Sequence, residues 1–291
     1  MRSSRAIANS VLVFITFIWG ATFTLTKAAL VVMPVFPYLA LRFLLATIAV
    51  SQFFVFGPKY RKNLRNGRLW LIGIVLGALL FLGYALQTLG LQTIAPAVSA
   101  FLTGLSVIIV PIMSIYFLHQ KSHTRTWLAA LMAIIGLGLL NGGLHRAYFP
   151  VGTFYTLACA VFWALQIVAV DKWALGYDSV ALTGIELLVV TLLSFLISLF
   201  TGPGGFHNWL SPIIVLAVVV NGLLGTAFAY WAQLHFQRQT SASYVAVIFT
   251  MEPVFAAVIA WVALHENLSA MALAGGLLIV SSMLIADASG S

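Results

Sequence analysis

The sequence predicts an all-α integral membrane protein, ten transmembrane helices arranged as two inverted five-helix repeats. Three observations carry this: a composition too apolar for water, apolar runs of bilayer length, and self-similarity at a near-constant offset. Hydrophobic residues make up 62% of the 291 and charged residues only 7%, with a mean hydropathy of +1.08. Soluble domains carry roughly 25% charged residues. A surface this poor in charge cannot be kept in water.

A helix needs about 20 largely apolar residues to cross the hydrocarbon. The runs that qualify lie roughly at 7–30, 36–56, 69–89, 96–118, 126–142, 152–171, 180–200, 211–233, 241–263 and 269–287. The first follows MRSSRAIANS, which resembles the start of a signal peptide. Trp19–Lys27 continues without a small-residue cleavage site, so an uncleaved first helix is expected. Pro34 and Pro37 separate spans 1 and 2, and a basic loop separates spans 2 and 3. Pro96 opens span 4, a His/Lys/Arg turn at 119–125 precedes span 5, and Gly202-Pro203-Gly204-Gly205 divides spans 7 and 8. The runs exceed the length of a barrel strand and do not alternate, which excludes a membrane β-barrel.

The net charge of +8 does not point to nucleic acid, because its distribution is that of a membrane topology signal. Five cations (Lys59, Arg61, Lys62, Arg65 and Arg68) crowd one short loop, suited to anionic lipid. Eleven Lys and Arg fall in the N-terminal tail and alternate loops on one side, with Lys172 at a boundary. The opposite loops hold Arg146, with Lys27 and Arg42 near that face but inside spans. Both termini are therefore expected in the cytoplasm. The single cysteine, Cys159, excludes an intramolecular disulfide and a cysteine metal cluster.

The chain also resembles itself. A shift of 144 lays Trp19 on Trp163, Thr22 on Gln166, Lys27 on Asp171, Arg42 on Glu186 and Leu44 on Leu188. A shift of 146 lays Tyr84 on Tyr230, Gln87 on Gln233, and Leu118-His119-Gln120 on Leu264-His265-Glu266. This divides the membrane domain into repeats at 1–142 and 143–291. Each has an odd number of spans, so the two lie in the bilayer with opposite orientation. Inverted repeats recur in secondary transporters, with the substrate near the midplane between them.

Helical spacing turns the paired positions into polar faces. Span 1 offers Trp19, Thr22 and Thr26; span 3 offers Tyr84, Gln87 and Leu91. Span 4 lines up Ser99, Thr103 and Ser106. Span 6 carries Trp163 and Gln166, and span 8 carries Tyr230, Gln233 and Gln237. Amides and hydroxyls facing lipid go unsatisfied, so these faces turn inward, onto a cavity or another helix. Ser and Thr also serve helix packing or bond their own backbone. Glycines at 136, 138, 275 and 276 allow close helix approach within the chain or in a homodimer.

Ionisable residues inside spans are candidates for coupling or gating. Lys27 and Arg42 near the outer ends, with Asp171 and Glu186 near the inner ends, either snorkel to the interface or form cationic and acidic vestibules. Within FTMEPVF, residues 249–255, Glu252 sits near the centre of span 9, and Pro253 cannot donate to the Phe249 carbonyl. Ser106 is the repeat mate of Glu252. Glu252 either bonds its neighbours at a kink or meets substrate or protons.

No G-x-x-x-x-G-K-[ST] is present, so no P-loop ATP site is expected. No H-E-x-x-H occurs, and His119 and His123 fall in a short turn without a third ligand, so neither metal nor cofactor is expected. No nucleophile–base–acid set assembles at one depth.

Trp19-Gly20-Ala21 to Lys27 resembles the opening motif of the EamA-type drug/metabolite transporters. Glu252-Pro253 through Leu264-His265-Glu266-Asn267-Leu268-Ser269 is similar to their second-repeat signature. Ser106-Val107 stands where the first repeat would carry a proline, and Trp163-Ala164 replaces Trp-Gly. The resemblance implies an exporter of small metabolites in the bacterial inner membrane, working by alternating access through a central cavity. Spans 1, 3, 4, 6, 8 and 9 would build that cavity. Its aromatic lining points to the aromatic amino-acid branch. Substrate-binding candidates are Trp19, Thr22, Tyr84, Gln87, Ser99, Thr103, Trp163, Gln166, Tyr230 and Gln233. The alternatives are a multidrug exporter of lipophilic cations, leaning on Glu252, and a non-transporting membrane enzyme or assembly subunit.

Overall fold

The apolar runs form helices, and two of them break midway. The computed structural model describes residues 2–57, 64–119, 123–140, 150–200, 205–264 and 269–287. Lys59, Arg61, Lys62, Gln120, Arg146, Gly202-Pro203-Gly204 and His265-Glu266-Asn267-Leu268 lie outside the described residues. The first repeat holds α1 (Arg2–Leu30), α2 (Val35–Phe56), α3 (Gly67–Leu91), α4 (Pro96–Gly104), α5 (Ser106–Leu118) and α6 (Thr124–Leu140). The second holds α7 (Val151–Trp173), α8 (Ser179–Ser198), α9 (Pro212–Gly222), α10 (Ala229–Phe236), α11 (Ala242–Phe249), α12 (Met251–Leu264) and α13 (Ala270–Asp287). A π-helical segment, Leu223–Phe228, joins α9 to α10, and a 3-10 turn, Gln237–Gln239, closes that span. Among the described residues eight spans are long and apolar enough to cross a bilayer; Thr124–Leu139 and Ala270–Ala286 are shorter apolar helices.

Local chemistry sets the ends. Asn66, Asp178, Ser211 and Ser241 accept backbone N–H groups at the starts of α3, α8, α9 and α11, the role of these residues at helix N-termini. The breaks fall at Leu105, between α4 and α5, and at Thr250, between α11 and α12. At both the backbone tightens to i→i−3 bonds, Leu105 N to Leu102 O and Thr250 N to Val247 O, each at 3.2 Å.

The packing shows the inversion directly. Lys27, near the C-terminus of α1, donates to the carbonyls of Leu91, Gln92 and Ile94 at the end of α3. Gly152, at the start of α7, meets the same turn of α3: its N–H donates to Thr93 Oγ1 at 3.1 Å, and a Cβ there would lie 2.4 Å from Gly90 O. The end of α1 and the start of α7 therefore share one end of the molecule, and these repeat mates run in opposite directions. Thr47 of α2 and Thr191 of α8, 144 residues apart, hydrogen-bond to one another at 3.0 Å. A residue touching its own mate marks the pseudo-twofold axis.

Helices pack mainly across the repeats: α3 on α7 and α8, α2 on α8, α1 on α12, and α6 on α13. The halves interleave, and any space between them is lined by both. A Cβ at Gly136 would lie 2.8 Å from Gly275 O. This close approach, which the sequence left open between one chain and two, is used inside the chain.

Candidate functional site

Both broken helices and both repeats converge on one cavity. Its walls carry Trp19, Thr22 and Thr26 from α1, Tyr84 and Gln87 from α3, and Thr103 and Ser106 from either side of the first break. The second repeat adds Trp163 and Gln166 from α7, Tyr230 and Gln233 from α10, and Phe249 and Glu252 from either side of the second break. The cavity measures about 50 Å³, room for a few waters.

Four rings fill its centre. Tyr84 stands edge-on to Trp163 at 5.1 Å between centroids and to Tyr230 at 5.9 Å. Trp163 and Tyr230 lie nearly parallel at 6.4 Å, and Trp19 approaches Tyr230 at 5.7 Å. These are edge-to-face and offset arrangements that aromatic pairs prefer.

Helix geometry fixes the rings. Trp19 Nε1 donates to Gly225 O at 2.9 Å, inside the π-helical segment. There Thr226 Oγ1 donates to Asn221 O, five residues back, at 2.7 Å. Such wide turns are rare and frequent at functional sites. Gly20 brings α1 onto the second break, since a Cβ there would lie 2.8 Å from Glu252 O.

Of the ten binding candidates, nine line the cavity. Ser99 does not: it lies one turn nearer the start of α4, buried, its carbonyl accepting Thr103 Oγ1 at 2.8 Å. Gln87 Nε2 donates to that same Thr103 hydroxyl at 3.3 Å. Gln166 and Gln233 reach the cavity with amides already engaged. Gln166 Nε2 donates to Glu186 Oε1 at 3.1 Å, and Gln233 Nε2 donates to Gln166 Oε1 at 2.9 Å and Gln237 Oε1 at 3.2 Å. Gln237 Nε2 donates to Ile167 O at 2.7 Å, so Gln237 backs the wall rather than lining it. Together they form a directed chain of amides ending on a buried acid.

The charged residues depart most from expectation. Arg42 is 2% exposed and Glu186 0%, so neither snorkels: α2 and α8 present them to the interior. Arg42 lines the cavity, while Glu186 stands behind Gln166. Lys27 builds no open vestibule: it is half-buried and its ammonium donates to the carbonyl of Leu91, the last residue of α3, and to those of Gln92 and Ile94 just beyond it, where a helix C-terminus leaves carbonyls unpaired. Asp171 and Pro253 lie away from the lining. Glu252 lines it and makes no hydrogen bond to a described residue.

The sequence reading missed Phe23, Thr88, Gly104, Ile167 and Phe249 in the lining. Phe249 follows Thr103 by 146 residues, so the repeat offset carried the signal for it. The network of Asn221 with Thr26 (2.9 Å) and Tyr38 (2.7 Å) had no such signal.

A model of the EamA-like transporter family matches residues 6–142 and again 150–286. An uncharacterized transporter of Archaeoglobus fulgidus is 26% identical over 97% of this chain and 86% of that protein. The uncharacterized transporter YvbV of Bacillus subtilis is 24% identical over 95% of this chain and 90% of its own. A protein of Salmonella typhimurium named a probable amino-acid metabolite efflux pump is 27% identical over 93% of this chain and 91% of its own. A solved crystal structure superposes with a TM-score of 0.80 over 100% of this chain and 98% of the other, at 21% identity, a likeness of fold.

Proposed function

The chain belongs to the EamA-like transporter family, and from that premise we propose that it exports amino acids and related small metabolites by alternating access. Membership makes it a multi-pass membrane transporter of a small molecule and removes the enzyme reading. The observation that carries the finer proposal is the cavity itself. It lies where the breaks of the fourth and ninth spans meet and combines six aromatic rings with amides, hydroxyls, one cation and one acid. Discontinuous helices at a repeat interface are where transporters of inverted-repeat design bind cargo.

In this proposal the substrate's side chain parts Trp163, Tyr84, Trp19 and Tyr230, while Gln87, Thr103 and the amide chain hydrogen-bond its polar end. Rocking of one repeat on the other exposes the site to alternate sides. The membrane is the bacterial inner membrane and the termini face the cytoplasm, on the loop charge asymmetry and the likeness to an efflux pump.

Purified protein in liposomes is expected to catalyse counterflow of labelled aromatic or neutral amino acids. Trp163→Ala should cut that rate by about tenfold, the order expected when an aromatic ring is removed from a desolvated site. Counterflow undiminished by Trp163→Ala would remove the ring cluster from the site.

The second reading, export of lipophilic cations, is favoured by Glu252 alone. It predicts cation counterflow that Glu252→Gln abolishes. The amino-acid reading predicts that Glu252→Gln keeps measurable amino-acid flux while any component driven by a pH gradient is lost. Running both substrate classes with and without the gradient separates them.

A further inference from the structure

Arg42 is a buried cation on the wall of the cavity. Its Nε donates to Thr226 Oγ1 at 2.9 Å, and its Nη2 donates to Tyr84 OH at 3.0 Å and Gly225 O at 3.5 Å. All three partners are neutral. Tyr38 also faces the guanidinium as a side-chain hydrogen-bond partner, and among the described residues no carboxylate pairs with it. The Tyr84 ring lies 4.6 Å from Cζ and the Phe43 ring 5.7 Å, which fixes the guanidinium plane.

A guanidinium removed from water without an anion carries a desolvation cost that neutral acceptors only partly offset. Hydrogen bonds and rings hold this one in place, and every partner they supply is uncharged. A guanidinium held this way on a cavity wall suits a carboxylate, which it takes through charge-assisted N–H donors. Glu252, on the same cavity just past the break at Thr250, is the complementary pole, also without a hydrogen bond to a described residue. The cavity thus offers one fixed cation and one acid, neither partnered by the other.

We propose that Arg42 is the anion anchor of the cavity, receiving the carboxylate of a zwitterionic amino acid whose ammonium group faces Glu252. This rests on the amino-acid reading above and narrows it: the substrate must carry its carboxylate. The role differs from the vestibule or interfacial charge that sequence position alone assigned to Arg42.

The test measures discrimination, not activity alone. L-Phenylalanine and L-phenylalaninamide, which lacks the carboxylate, compete for counterflow in proteoliposomes of wild type, Arg42→Gln and Arg42→Lys. Arg42→Gln should raise the KM for L-phenylalanine by about tenfold or more, leaving inhibition by the amide within about twofold. Arg42→Lys keeps the charge but loses the fixed fork, and should fall between. Equal losses for acid and amide, or no loss for either, would overturn the anchor. If Arg42→Gln does not purify monodisperse, the acid-to-amide ratio of Arg42→Lys decides: a drop is expected, an unchanged ratio overturns it. Wild-type protein that moves no amino acid of a full panel sinks the functional reading instead. Wild-type transport retained at full ratio in the variants sinks only the anchor.

Discussion

Purified Gln166→Leu protein is expected to lose several degrees of apparent melting temperature and most of its counterflow. Gln166 stands between a buried acid and the cavity, with its Nε2 on Glu186 Oε1 and its Oε1 taking the Gln233 amide. Leucine matches its size but removes both. Glu186, 0% exposed and already without a partner at Oε2, would then hold no hydrogen bond to any described residue. A buried polar group left unsatisfied costs about 1–3 kcal/mol, more when charged. Glu186→Gln keeps the acceptor that Gln166 needs, so it should lower stability less. Gln166→Leu combined with Glu186→Leu removes both partners and should recover part of the deficit, since paired removal is nearly neutral where single removal is not. Thermal unfolding followed by tryptophan fluorescence in detergent gives the three values. A double variant no more stable than Gln166→Leu alone would show that the acid is not what the amide chain satisfies. Counterflow should remain low in the double variant, because the cavity amide is still missing.

The sequence made the fold legible because the bilayer imposes a length on every element and the duplication imposes an offset. The predicted spans fall within a few residues of the helices, and Thr47 bonding Thr191 realises the offset of 144. The cavity was legible for the same reason: polar groups at helical spacing inside a span have nowhere else to turn. The helix breaks were not. Pro253 reads as the kink, yet the break comes at Thr250, which leaves Pro253 in the first turn of α12, where a missing N–H costs little. The break at Leu105 has no proline beside it, and Pro111 lies inside the unbroken α5. Gly104 and Ser106, on either side of that break, both line the cavity. The π-helical segment 223–228 is equally silent in LLGTAF. Arg42, about two turns into α2, reads as an interfacial or vestibule charge, and the structure instead holds its guanidinium on Tyr84 and Thr226 in the interior.

Gly152→Leu is expected to be the most damaging single substitution in the chain, with little monodisperse protein recovered and no counterflow. At the crossing of α3 and α7 the two backbones touch. A Cβ on Gly152 would lie 2.4 Å from Gly90 O and 2.3 Å from Thr93 Oγ1, and a Cβ on Gly90 would lie 2.9 Å from Gly152 O. The obstruction is largely backbone, so no rotamer change relieves it and the helices must part. Overpacking a core that can adjust costs about 1–3 kcal/mol, and a backbone crossing in a membrane bundle adjusts less. Parting them also breaks the Gly152 N–H bond to Thr93 Oγ1 and disturbs the turn whose carbonyls Lys27 caps. Gly152→Ala should show the same direction at smaller size, because even one methyl meets the Gly90 carbonyl. Gly138 supplies the control: nothing lies within 4 Å of a Cβ there, so Gly138→Leu should purify and transport as wild type does. Equal behaviour of Gly152→Leu and Gly138→Leu in size-exclusion profile and melting temperature would mean the crossing is looser than its geometry. That outcome would also remove the contact by which the inverted directions of α1 and α7 are read, because both helices are located against this one turn of α3.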